Sequence, residues 1–197
     1  MPIIGLTGDV GAGKSTLCSV WRVLGAHIID ADSAARALWD APDVRCEAEK
    51  RWGEGFFDAP RRELYSKIAQ KIFTDEEEYK FAAELLHKRT NAQIKAEALA
   101  SGGVVVVEIP LLYECGDDEW LDYVIYAAAP LARRAERNAK RSWNAEEIKR
   151  RESKLLPREE KMKRADKIVT NSGTEEEWRA LAAEVWRELE TVKAKRG

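Results

Sequence analysis

The sequence predicts an α/β fold, a five-stranded parallel sheet flanked by helices, and three observations carry that prediction. Short apolar, β-branched runs recur along the chain, near residues 3–6, 27–30, 104–107, 122–127 and 165–170, with helix-compatible stretches between them. A glycine-rich motif follows the first run directly, and a helical pattern follows the motif. Acidic residues, Asp30 and Asp32 and then Glu108, stand where the second and third runs end. In doubly wound sheets ligands bind at that edge.

The first strand feeds the motif. Gly8, Gly13, Lys14 and Ser15 fit G-x-x-x-x-G-K-[ST], the phosphate-binding loop. Its glycines let the backbone curl so that N–H groups point inward at phosphate oxygens, and a helix opening there adds its positive end. Gly11, Ala12, Gly13, Lys14, Ser15 and Thr16 are therefore the nucleotide-binding candidates. Lys14 is placed to reach the β- and γ-phosphates, and the Ser15 hydroxyl to ligate Mg²⁺. The helix runs on over 17–24 with Leu17, Val20, Trp21 and Leu24 on one face, Trp21 reads as core, and Gly25 closes it.

The second strand, His27-Ile28-Ile29, runs into Asp30-Ala31-Asp32. His27 reads as structural. A carboxylate at Asp32 suits two roles equally by position. It could accept or orient a hydroxyl proton and hold Mg²⁺, or it could cap a helix over 33–40. Residues 42–100 read as helices broken at Gly53-Glu54-Gly55, with an N-cap at Thr74-Asp75-Glu76-Glu77. His87 falls within the last of them and by itself reads as a helix-surface residue. A helical block between two strands of such a sheet commonly shapes a substrate pocket. The run at 104–107 suits a strand buried on both faces, and Glu108 at its end is either an acid holding Mg²⁺ through water or an ordinary strand-end acid. Beyond the fourth strand, 131–141 forms a helix with Arg137 and Arg141 on one face. A second charged helix starts near Trp143, and Pro157 divides it from 158–164. Such arginines are either a solvated face or a lid that closes over a γ-phosphate. Trp143 either packs between helices or stacks on a base. The fifth strand leads through Asn171-Ser172-Gly173 into a closing helix over 175–192, with Trp178, Leu181, Val185 and Leu189 inward.

Composition narrows the class. Charged residues make up 35% of the 197, and apolar runs such as 104–107 are far too short for a bilayer. No secretory signal is expected after Met1-Pro2. Cys18, Cys46 and Cys115 show no C-x-x-C spacing and read as free thiols of a reducing cytoplasm. The net charge is −2, yet residues 130–167 hold fourteen Lys/Arg against seven Asp/Glu. A local basic segment suits a polyphosphate better than a long nucleic acid.

Taken together, these residue groups resemble the dephospho-coenzyme A kinase family. The matching pieces are Leu6-Thr7-Gly8 through Thr16, Gly25 through Asp32, Ile72-Phe73, Leu85-Leu86-His87, Ile109-Pro110-Leu111-Leu112-Tyr113-Glu114, Arg137 and Arg141, Glu160-Lys161, and Ala165-Asp166 through Gly173. The resemblance implies a P-loop NTPase fold in one kinase domain: a core of 1–40, 101–130 and 165–197, a helical substrate-binding insertion over 41–100, and a helical lid over 131–164. It implies ATP and Mg²⁺, and phosphoryl transfer to the ribose 3′-hydroxyl of 3′-dephospho-coenzyme A, the last step of coenzyme A biosynthesis, in the cytoplasm. Neither a nucleic acid nor a membrane is implied as a partner, and the oligomeric state is left open. Carried over by position, Asp32 is the base or orienter at that hydroxyl. Lys14, Arg137 and Arg141 complete the catalytic set, Ser15, Asp32 and Glu108 the metal set, and Asp32, His87, Pro110 and Leu111 the acceptor set.

The chain departs from the family's pattern at four places. Asp9 stands where a glycine or small residue is usual, and an acid beside anionic phosphates is expected to point outward. His87 is followed by Lys88 rather than proline, Ser142 replaces an acid after the second lid arginine, and Leu155 replaces a glutamine. Two other readings compete: another small-acceptor P-loop kinase such as a nucleoside monophosphate kinase, and a non-catalytic nucleotide-binding regulatory module.

Overall fold

The computed structural model describes residues 1–116, 118–139, 143–153 and 155–194, with the backbone alone at positions 62, 73 and 115. Its residues form two compact units, one of Met1–Asp30 with Lys95–Gly197 and one of Ala31–Ile94.

The first unit is built on five parallel strands, β1 (Ile3–Gly8), β2 (His27–Asp30), β3 (Val105–Glu108), β4 (Tyr123–Ala128) and β5 (Lys167–Thr170), in the spatial order β2-β3-β1-β4-β5. β1 lies in the middle, where the chain switches from one half of the sheet to the other, so its C-terminal end opens on the crevice that such sheets use for ligands. The central strands β1, β3 and β4 are buried along nearly their whole length, which is why they read as continuous apolar runs. The edge strands β2 and β5 alternate between buried and exposed residues. Acids extend the ladders where strands begin: Asp122 accepts from the Ile3 N–H at 2.7 Å and Asp166 from the Val124 N–H at 2.8 Å.

Helix α1 (Lys14–Val23) and the C-terminal α10 (Glu175–Leu189) pack together over this sheet. Trp21 is fully buried between them and donates its indole N–H to the Ala182 carbonyl at 2.8 Å, so the core reading of Trp21 holds. Trp178, Val185 and Leu189 are buried on α10, whose start is a capping box between Thr174 and Glu177. His27 is structural and partly exposed, bonded to Glu97 at 3.0 Å. The helices α7 (Leu131–Asn138) and α9 (Arg158–Arg164) each start after a proline, Pro130 and Pro157, and α8 (Ala145–Glu152) starts on the Asn144 side chain, which accepts from the Glu147 N–H at 2.9 Å. The short α6 (Leu112–Cys115) follows β3.

The second unit is helical: α2 (Ala31–Leu38), α3 (Pro42–Trp52), α4 (Arg61–Thr74) and the part of α5 (Glu76–Ala100) up to Ile94. Its core gathers Trp39, Val44, Phe57, Leu64, Ile68 and Leu85, with Trp39 and Trp52 ring centroids 5.2 Å apart. Two expectations about helix starts are corrected here. α2 begins at Ala31, straight after β2, so Asp32 sits inside the first turn and does not cap a helix beginning at 33. The cap of α5 is Asp75, whose carboxylate accepts from the Glu77 N–H at 2.8 Å, while the Thr74 hydroxyl turns back to the Gln70 carbonyl at the end of α4.

Buried Glu78 ties this unit together. Its carboxylate accepts from the Trp52 indole at 2.6 Å and from Arg51 at 3.0 Å, with Lys71 at 3.8 Å. The Trp52 bond, joined by both cations and opposed by burial, holds the Glu78 carboxyl below its ordinary range. The group therefore contributes stability that is fully present above the ordinary carboxylate range and lost as pH falls through the lowered native value. Glu78→Gln should cost about 1–3 kcal/mol at neutral pH. It should also flatten the loss of stability between about pH 5 and pH 3, read by denaturant unfolding across that range.

Candidate active site

The loop between β1 and α1 is shaped by glycine geometry and held from outside. Gly8 has φ 142° and Gly13 has φ 95°, the left-handed side that residues with a Cβ rarely adopt. A Cβ on Gly8 would fall on the Ala127 carbonyl oxygen, and one on Gly13 would lie 2.7 Å from the Asn171 side-chain nitrogen. The Asp9 N–H pairs with the Ala127 carbonyl at 2.9 Å, so the loop leaves the sheet still bonded to β4. Asn171, just past β5, donates to the Ala12 carbonyl at 2.8 Å, and the Trp178 indole donates to the Gly13 carbonyl at 3.1 Å. These bonds fix the Ala12 and Gly13 carbonyls, and the Ala12 N–H closes a turn on the Asp9 carbonyl at 3.2 Å, the curled form in which such loops receive anions. Gly13 caps α1 with no side-chain bond, and the first turn of α1 carries no acid, so the positive end of the helix is not offset by a carboxylate there. Lys14 opens α1, and its ammonium donates to the Gly8 carbonyl at 3.3 Å and the Asp9 carbonyl at 3.2 Å.

On the other side of β1, Glu108 ends β3 and stands in register with Asp30 at the end of β2. The Cys18 thiol donates to the Glu108 carboxylate at 3.4 Å. Burial, followed by the Glu108 charge, pushes this thiol far above its ordinary range, so Cys18 stays protonated and serves as a small buried donor. Ser15 and Cys18, three residues apart on α1, share a face of the helix. Ser15 thus sits one turn before the residue of α1 that meets Glu108. Pro110 accepts from the Thr7 hydroxyl at 3.2 Å, and Leu111 leads into α6. Among the described residues no cluster of three or more His, Cys, Asp or Glu side chains could hold a metal ion.

Arg137 reaches the loop through Asn171, donating to its side-chain oxygen at 2.7 Å while the same amide holds Ala12. Burial, and Arg133 beside it, lower the Arg137 pKa. Arg141, the second arginine expected on this helix, lies outside the described residues, as does Ser142. Asp32 and His87 belong to the second unit, on α2 and α5. His87 is half-buried, 3.5 Å from the Asn91 amide. Trp143 lies under the Arg151 guanidinium, 3.9 Å from its ring centre, which favours packing over base stacking.

The expectation that Asp9 points outward is wrong. Its side chain is 1% exposed. The carboxylate accepts from the Tyr126 hydroxyl at 2.6 Å, the Ala129 N–H at 2.9 Å and the Arg158 Nε at 2.9 and 3.1 Å. The protein supplies enough donors that solvent is not needed. Two further basic residues of α9 are matched by acids, one buried and one at the surface. Lys161 pairs with Glu114 at 2.7 Å, and Arg164 pairs with Asp118 at 3.0 Å and covers the Tyr113 ring. The sequence reading gave Trp178 only an inward place on the closing helix and Asn171 no part in the phosphate loop. The one available signal for Asn171 was its place directly after the fifth strand, on the ligand-binding edge.

Comparison with known proteins is consistent across sequence and structure. A family model described as dephospho-CoA kinase matches residues 2–177. The chain is 34% identical over 192 residues to a dephospho-CoA kinase of Aquifex aeolicus, covering 96% of this chain and 98% of that one. It is 37% identical over 185 residues to one of Geobacillus kaustophilus, covering 89% and 90%. A solved structure of Thermus thermophilus, TT1252, superposes with a TM-score of 0.75 at 31% identity, covering 94% of this chain and 97% of that one. A shikimate kinase of Acinetobacter baumannii shares the fold, with a TM-score of 0.58 at 17% identity over 99% and 96% of the two chains.

Gly13→Ala combines an unfavourable φ with a collision against Asn171. It should weaken binding of a fluorescent nucleoside triphosphate analogue by at least about tenfold, with the affinity read by titration against the wild-type protein.

Proposed function

Because the chain belongs to the dephospho-CoA kinase family, which carries out the last step of coenzyme A biosynthesis, we propose that the loop at residues 8–15 seats ATP for transfer of its γ-phosphoryl group to the ribose 3′-hydroxyl of dephospho-coenzyme A. The single observation behind this placement is that loop, curled through Gly8 and Gly13 and braced by Asn171 and Trp178. A nucleoside monophosphate kinase and a regulatory nucleotide-binding module are not favoured, since the family match spans residues 2–177.

Each assigned residue then has a role that chemistry can check. Lys14 exchanges its bonds to the Gly8 and Asp9 carbonyls for oxygens of the β- and γ-phosphates. The backbone from Gly11 to Gly13 and the first turn of α1, with Ser15 and Thr16, cradle the same phosphates. Ser15 and Glu108 suit a hard divalent cation such as Mg²⁺, with Asp32 as a third candidate oxygen ligand. When bound, that cation neutralises charge building between the phosphates. Asp32 receives or orients the proton of the 3′-hydroxyl, a contribution of about 10²–10⁴ in rate for a well-placed base. His87, Pro110 and Leu111 contact the acceptor. Arg137 and Arg141 offset transition-state charge, and residues 131–164 act as the lid that excludes water. The helical insertion over residues 41–100 serves as the acceptor-binding part.

No helix of the described residues is long and apolar enough to cross a membrane. Cys18 and Cys46 are free thiols. Both support the cytoplasm as the working compartment.

Two variants test the assignment. Lys14→Ala should slow phosphorylation of dephospho-coenzyme A by at least about 10³, followed by product mass. Asp32→Asn should leave ATP affinity within about threefold and remove at least about 99% of turnover. Near-normal kcat in the second variant would take Asp32 out of the reaction.

A further inference from the structure

Asp9 places a negative charge inside a loop built to receive a polyphosphate. Left uncompensated, that carboxylate would repel the ligand through a poorly screened interior. Its surroundings deal with the charge. Two neutral donors, the Tyr126 hydroxyl and the Ala129 N–H, hold the carboxylate in place from β4. Arg158, the first residue of α9, brings a full positive charge to both carboxylate oxygens, at 2.9 and 3.1 Å. Arg134 of α7 is a second, longer ion-pair partner of Asp9, at 4.0 Å, and shares its charge with Glu152 of α8. Arg158 is the cation hydrogen-bonded to Asp9, and that bond raises its pKa further. The backbone of Asp9 matters as well, because its carbonyl is one of the two that position the Lys14 ammonium.

We propose that Arg158 is a positioning residue for ATP that acts through Asp9: it cancels and fixes the carboxylate within the phosphate loop, so that the loop binds a triphosphate despite carrying an acid. Arg158 does this without touching the nucleotide. The inference rests on the reading of residues 8–15 as the ATP site.

The experiment is a double-variant cycle read by direct ATP titration and by steady-state kinetics. Arg158→Gln unmasks the Asp9 charge. The expected result is ATP affinity weakened about tenfold or more, with KM for ATP rising in step and kcat changing by less than about threefold. Arg158→Lys keeps the charge and should stay within about threefold of the wild type. The decisive variant is Asp9→Asn combined with Arg158→Gln. With the unmasked charge gone, ATP binds more tightly than to Arg158→Gln alone, and the rise in KM for ATP without a matching fall in kcat or in thermal stability separates this from a merely structural pair.

The Arg158 side chain is 39% exposed, so Arg158→Gln is expected to fold, as circular dichroism and thermal unfolding will check. Should it not, Asp9→Asn alone carries the test: without the acid, ATP binds at least as tightly as to the wild type. The proposal is overturned if Arg158→Gln binds ATP like the wild type, if the double variant binds no better than Arg158→Gln, or if Asp9→Asn weakens ATP binding beyond threefold. Wild-type turnover of dephospho-coenzyme A, measured alongside, separates these outcomes from failure of the functional reading. A protein that binds ATP but does not phosphorylate this acceptor would fail there and still report on Arg158.

Discussion

A backbone that turns through positive φ at Gly8 and Gly13 keeps that shape because it is held from behind. Three parts of the first unit supply the hold: β4 through the Ala127 carbonyl, the residue after β5 through Asn171, and α10 through Trp178. Asn171 and Trp178 donate to the Ala12 and Gly13 carbonyls, while the Ala127 carbonyl takes the Asp9 N–H, so the curl is pinned through both its acceptors and a donor. The sheet order makes this possible. With β1 in the middle, its C-terminal end has a neighbour on either side, so β4 braces one flank of the loop while Glu108 stands at the other. The fully buried Trp21 and the α10 residues around it then fix α1 over the sheet, and with it the direction of the helix that opens at Lys14.

Charge is distributed with the same economy. The segment 130–167 looks in composition like a surface for a polyphosphate. In the fold much of its positive charge is matched internally: Arg134 with Glu152, Arg158 with Asp9, Lys161 with Glu114, Arg164 with Asp118. The first joins α7 to α8, and the other three fasten α9 to the loop, to α6 and to the turn before β4. Arg137 differs from them. Its hydrogen-bonding partner is the neutral Asn171 amide, beside the phosphate loop, so its charge is not cancelled by a carboxylate there. A residue count gives the supply of cations, but only their partners reveal which remain for a ligand.

The same distinction explains where the sequence was legible. Apolar runs bounded by glycine, proline and acids marked all five strands; the central β1, β3 and β4 are buried on both faces and so must be apolar, while the edge strands β2 and β5 are only half-buried. Pro157 marked the boundary before a helix, since a proline at a helix start loses no intrahelical bond. Helix caps were less legible. Asp32 and Asp75 each stand near a helix start, yet only Asp75 caps, because capping depends on where the backbone first becomes helical and not on residue type. Asp9 was the clearest miss. Its neighbours in sequence are glycine and valine, and nothing there foretells the donors that approach it from Tyr126, Ala129 and Arg158.

By itself, then, the sequence determined the order of strands and helices along the chain, the phosphate loop and the family, since each is written in contiguous residues whose backbone preferences or spacing are local. The strand order, the braces behind the loop and the pairing of each buried charge were decided only in the tertiary structure. Those features join residues more than a hundred positions apart, such as Asp9 with Arg158 or Ala12 with Asn171. Which donor reaches a buried acid depends on which surfaces the fold brings face to face, and no local pattern records that.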